Sequence, residues 1–114
     1  MTSALEMVRM VRDGQVTSVQ LVTACLDKIE AENDQLKAWA HIDRDAALAR
    51  ASEMDAIRLS GRPMGALHGV PVGVKDIVDT IGFPTEFGTS VMAGRQPEKD
   101  ARIIAQLMDA GAII

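Results

Sequence analysis

The stretch Asp100 to Ile114, DARIIAQLMDAGAII, reads as a helix that meets Gly111 and then three apolar residues in a row. A glycine just past a helix end, followed by a continuous apolar run, is how a buried parallel strand begins in an α/β unit. This junction constrains the fold more than any other feature of the chain. A strand starting at Ala112 needs partners on both sides and layers on both faces. The remaining sequence offers one other strand. The expectation is therefore the opening of a larger α/β domain, with its sheet incomplete within 114 residues.

Upstream, the pattern divides near Gly61. Ala4 to Arg12 places Ala4, Met7, Val8 and Val11 on one helical face. Thr17 and Gln20 have capping-box spacing, and the stripe Val22, Cys25, Leu26, Ile29 predicts a second helix, with Asn33-Asp34 ending it. Residues 36–43, LKAWAHID, loosely alternate and predict a short extended piece. The alanine-rich run that follows predicts a third helix, with Ala47, Leu48, Ala51 and Met54 inward and a stop at Gly61. Residues 1–61 thus read as a helical layer, and 62–114 as the start of an α/β core. That core has a strand over Val70 to Lys75, an ordered loop over 80–99, and a last helix N-capped by Asp100 with the stripe Ala101, Ile104, Ala105, Met108.

The formal charge of −4 leaves no basic stripe for nucleic acid and no polybasic patch for a membrane surface. The N-terminus has no apolar central region of a signal peptide, so the expected location is cytoplasmic. Cys25, the one cysteine, lies in an apolar helical stripe and reads as a small buried hydrophobe. His41 and His68 lack a carboxylate at ligand spacing and read as loop or packing histidines, so no metal or other cofactor is expected. Neither G-x-x-x-x-G-K-[ST], G-x-G-x-x-G nor G-x-S-x-G occurs.

Chemistry concentrates in HGVPVGVKDIVDT, residues 68–80. In an extended strand Val70, Val72 and Val74 face one way while Pro71, Gly73 and Lys75 face the other. Lys75 then projects from a face with little bulk. Two readings stand open: a lysine at a strand end that snorkels to water or pairs with Asp76 or Asp79, or a desolvated amine able to act as a general base. For Asp76 and Asp79 themselves, caps or ion partners are expected.

These residues carry a resemblance. GALHGVPVGVKDIVDTIGFPTEFGTS resembles the opening motif of the amidase signature family, and the flanking segments resemble its N-terminal helices and the helix and strand after the lysine loop. The resemblance implies the family's mixed α/β sheet and hydrolysis of small-molecule carboxamides by a Ser–cis-Ser–Lys triad, with Lys75 as the triad lysine. It implies that both serines and the oxyanion loop lie outside these residues, since Ser90 matches neither serine. The segment alone is then expected to be inactive and marginally stable, with homo-oligomer formation left open. Family members acting on misacylated tRNA usually show asparagine where Ile77 stands and a second threonine where Glu86 follows Thr85, which favours a stand-alone amidase. The alternatives are the A subunit of a tRNA-dependent amidotransferase, with ATP and partner subunits, or a non-catalytic binding remnant.

Overall fold

In the computed structural model, which describes residues 2–114, α2 (Ser18–Leu36) and α3 (Arg44–Leu59) pack side by side. Each start is fixed locally. Thr17 and Gln20 make the expected capping box, and Asp43 caps α3 by accepting from Ala46 N at 2.9 Å. A tertiary cap is added: the Asp55 carboxylate, from the middle of α3, accepts from Ser18 N at 2.7 Å and Val19 N at 3.1 Å. It satisfies two amides that α2 leaves free and lies at the positive end of the helix dipole. Replacing Asp55 by alanine should destabilise the chain by about 1–2 kcal/mol, the usual cost of a lost cap. Asp55→Asn should cost less, and urea unfolding of the two variants checks the order.

Helix α1 (Ala4–Arg12) opens on a second capping box, Ser3 with Glu6, and buries Val8 and Val11 while Ala4 stays exposed. The core gathers Val22 and Leu26 of α2, Ala51 and Met54 of α3, and Ile113 from the far end of the chain. Ala47 and Leu48 flank it half-buried, so the inward face expected for α3 is the one observed. His68 is 3% exposed and its Nε2 lies 2.9 Å from the Met54 carbonyl, which makes it a packing histidine.

Several sequence expectations are corrected. α2 does not end at Asn33-Asp34. It continues to Leu36 and closes on Lys37 in the left-handed region at φ 52°. Asn33 is used differently: its Oδ1 accepts from Trp39 N at 2.9 Å and its Nδ2 donates to Trp39 O at 3.1 Å, tying the chain beyond the helix back to it. Residues 36–43 form no strand, because these side-chain bonds, and not a neighbouring strand, hold them.

The strand expected over Val70 to Lys75 is reduced to one parallel bridge between Pro71 and Ile113. Val72 N donates to Ile113 O at 2.8 Å and Ile113 N to Val70 O at 2.9 Å, so Pro71 sits at the register where its missing N–H costs nothing on this side. Beyond Val72 the pairing stops, and the backbone reaches a turn that Lys75 opens, with Asp76 and Ile77 at its bend. The described residues are therefore helical with a single parallel bridge, short of the α/β sheet that the sequence suggests.

Helix α4 (Arg102–Asp109) starts at Ala101, which makes no side-chain cap. Asp100 instead accepts from Ile81 N at 2.7 Å, joining the helix start to the long loop. The inward line is Ala101, Ile104, Leu107, at a spacing of three, and Ala105 and Met108 are exposed. Gly111 takes φ 90° as expected, with its Cα so near His68 that an added Cβ would stand 2.9 Å from the His68 Cα.

Candidate active site around Lys75

The lysine is presented by a tight turn. Its carbonyl accepts from Ile77 N at 2.7 Å and Val78 N at 3.1 Å, so Lys75 is the first residue of the turn and Asp76 and Ile77 form its bend. The paired strand ends at the Pro71–Ile113 bridge, although Val70, Val72 and Val74 remain more shielded than Gly73 and Lys75. Val72, Val74 and Lys75 all border one cavity of about 450 Å³, together with Cys25, Trp39 and Thr85. Nor is the side of Gly73 open: an added Cβ there would come within 2.5 Å of Trp39 Cη2. Cys25 is half-buried on the cavity wall.

Neither aspartate expected to pair with Lys75 does so among the described residues; both carboxylates have other partners. The Asp76 carboxylate accepts from Glu86 N at 2.7 Å and from Gly88 N at 3.3 Å, while its carbonyl accepts from Phe87 N at 2.9 Å. Asp79 is gripped by both Arg95 nitrogens at 2.6 and 3.0 Å, and that guanidinium also lies 5.7 Å from the centre of the Phe87 ring. Lys75 itself is exposed at the cavity edge. Among the described residues Lys75 is thus a solvent-facing amine with no ion partner, and the desolvation that the general-base reading needs is not provided by this segment.

The loop over 80–99 is ordered by these carboxylates. It contains one 3₁₀ turn, Ser90–Met92, and Ser90 there is exposed and does not line the cavity that Lys75 borders. Glu86 accepts from Gly94 N at 2.6 Å and meets His41 Nε2 at 2.8 Å. Sequence reasoning missed this pair, since the partners are 45 residues apart and no local spacing marks them. Among the described residues, no group of three or more His, Cys, Asp or Glu could hold a metal ion.

Hydrogen bonding sets the acid behaviour of the loop. The Glu86 amide, with Gly88 and the nearby His41 adding to it, holds the Asp76 carboxyl below its ordinary range against the opposing effect of burial. The Gly94 amide, and next His41, does the same for Glu86, and Arg95 does so for Asp79. A carboxyl depressed in the folded state stabilises above its unfolded pKa of about 4, and that contribution disappears as pH falls through the folded value. The urea midpoint should thus be insensitive to these groups above about pH 5 and fall below about pH 4. Asp79→Asn should flatten part of that acid limb.

With this geometry in view, comparison with known proteins is direct. The amidase family's sequence profile matches residues 20–114, and the chain belongs to that family, the amidase signature enzymes. It is 39% identical over 112 residues to the A subunit of the glutamyl-tRNA(Gln) amidotransferase of Salinispora arenicola, covering 98% of this chain and 23% of that one. It is 41% identical over 101 residues to the corresponding protein of Chloroflexus aurantiacus, covering 89% and 21%. Among solved structures, the native peptide amidase of Stenotrophomonas maltophilia superposes with a TM-score of 0.91 at 32% identity, covering 98% of this chain and 23% of that one. The chain thus spans under a quarter of the length of these relatives. No helix among its described residues is long and apolar enough to cross a membrane.

Proposed function

We propose that residues 1–114 supply the lysine-bearing part of an amidase that cleaves small-molecule carboxamide C–N bonds by a Ser–cis-Ser–Lys mechanism, with Lys75 as the triad lysine. The observation that carries the reading is the placement of Lys75. It leaves a turn fastened through Asp76 to the 86–88 backbone, at the edge of a cavity, with neither neighbouring aspartate engaging it. In this reading the amine relays protons through a bridging serine to a nucleophilic serine. Both serines and the oxyanion donors come from the rest of the domain, and no cofactor is required.

The same reading makes 1–61 the helical layer of one amidase domain and 62–114 the start of its mixed α/β sheet. The Pro71–Ile113 bridge is the first parallel pairing of that sheet. The enzyme is cytoplasmic. Preorganised oxyanion donors are a large part of acyl-transfer catalysis, so the 114-residue chain alone should not hydrolyse a simple aryl amide. Turnover by the purified chain, above that of a Lys75→Ala control, would overturn the division of labour proposed here.

A second reading, the A subunit of a tRNA-dependent amidotransferase working with ATP and partner subunits, is favoured by identities of 38–41% to proteins of that name. Against it stand Ile77 and the Thr85-Glu86 pair. Glu86 is built into the loop through Gly94 and His41, contacts that a second threonine at this position would not make in the same way. Assaying the complete enzyme on free carboxamides and on misacylated tRNA separates the two readings.

A further inference from the structure

Glu86 stands where three separated pieces of chain meet. Its N–H donates to Asp76 Oδ1 at 2.7 Å, fastening it to the residue after Lys75. Its Oε1 accepts from Gly94 N at 2.6 Å, closing the loop on itself, and its Oε2 lies 2.8 Å from His41 Nε2. The His41 and Glu86 side chains are 32% and 22% exposed, partly shielded from water, where a charge-assisted bond is stronger than at an open surface. Because the Gly94 amide already holds the Glu86 carboxylate, less of its side-chain freedom remains to be lost on meeting His41.

His41 belongs to the connection between α2 and α3, residues 37–43, which has no regular secondary structure to fix it. Asn33 grips this strap at Trp39, and the Trp39 ring lies against Gly73, two residues before Lys75. The chain on one side of Lys75 therefore sits under the strap, and on the other side it is bound to Glu86. The Glu86–His41 bridge closes the circuit between them. Trp39, His41 and Lys75 all border the same cavity.

We propose that Glu86 and His41 are positioning residues for Lys75: their bridge latches the Trp39 strap over Gly73 and so fixes where the Lys75 amine stands at the cavity edge. The catalytic meaning of the latch rests on Lys75 being the triad lysine. The latch itself does not, and it can be measured without turnover.

The test uses limiting N-hydroxysuccinimidyl acetate on the 114-residue chain, with acetylation of Lys28, Lys37, Lys75 and Lys99 followed by peptide mass spectrometry. Fluorescence of Trp39, the only tryptophan, is read in parallel. His41→Ala should change the Lys75 rate relative to Lys28 and Lys99 by at least about threefold, the scale of one lost coupling. It should also move Trp39 emission to the red and make it easier to quench with acrylamide. His41→Gln keeps an N–H donor toward Glu86 and should restore both signals. Glu86→Ala should match His41→Ala. If that variant unfolds, seen as loss of helical circular dichroism and a common rise at all four lysines, the two His41 variants decide alone. An unchanged Lys75 ratio in His41→Ala, or a glutamine that restores nothing, overturns the latch. A working latch in a protein whose Lys75→Ala variant stays active would sink the catalytic reading and leave the latch standing.

Discussion

Gly69→Ala should cost the chain about 2–4 kcal/mol, enough to remove a large share of a small domain's stability. Gly69 has φ 75°, a region where an L side chain costs roughly 1 kcal/mol. The added Cβ would also stand 2.0 Å from Ser18 Oγ and 3.0 Å from Ser18 Cβ. Ser18 cannot yield, because it is fully buried and its amide is bonded to Asp55 at the start of α2. Overpacking of this kind adds about 1–3 kcal/mol.

The same contact provides an internal control. Ser18 Oγ is buried without a hydrogen-bond partner among the described residues, so Ser18→Ala alone should be near neutral or slightly stabilising. In the double variant the clash with Oγ disappears while the backbone penalty stays. The two changes should therefore couple by about 1 kcal/mol in a urea-unfolding cycle. Additive costs would mean that the backbone angle, and not the contact with α2, fixes the need for glycine.

What the sequence makes legible follows the range of the interactions involved. The three N-terminal helices are announced by contacts within four residues: Thr17 with Gln20, Asp43 with Ala46, and the stripe through Ala51 and Met54. Ser3 and Glu6 carry the same capping-box spacing, so the start of α1 was equally open to reading. Asn33 misled because its usual sense, a helix end, is local, whereas its role here depends on Trp39 folding back to it. The strand over residues 70–75 misled for the same reason. Its β-branched run is real, but a strand exists only where partners pair with it, and among the described residues Ile113 alone does so.

Lys75 itself was visible through its motif, while its surroundings were not. The face expected to be open beside it is covered at Gly73 by the Trp39 ring, a contact between residues distant in the sequence. The ties that shape the site, Asp76 to Glu86, Asp79 to Arg95 and Glu86 to His41, span 10, 16 and 45 residues. Such pairings depend on the finished loop. No periodicity in the chain encodes them.

Lys75→Ala, introduced into an amidase in which residues 1–114 are joined to the rest of the domain, should lower kcat by about 10³-fold or more. A positioned general base contributes roughly 10²–10⁴-fold, and a relay that activates a nucleophile loses both functions together. KM should change little, since the amine acts on a proton and not on the bulk of the substrate. The unfolding midpoint should also be nearly unchanged: the side chain is exposed, and the turn is held by the Lys75 carbonyl and by Asp76, which the substitution leaves in place. Lys75→Arg should not rescue the activity, although it keeps the positive charge, because a guanidinium does not give up its proton in a protein. That variant separates the two roles a lysine can play here. If arginine restores turnover, the group at position 75 acts as a fixed charge near the substrate. If neither variant turns over while both fold, the site requires an amine that can take up and return a proton.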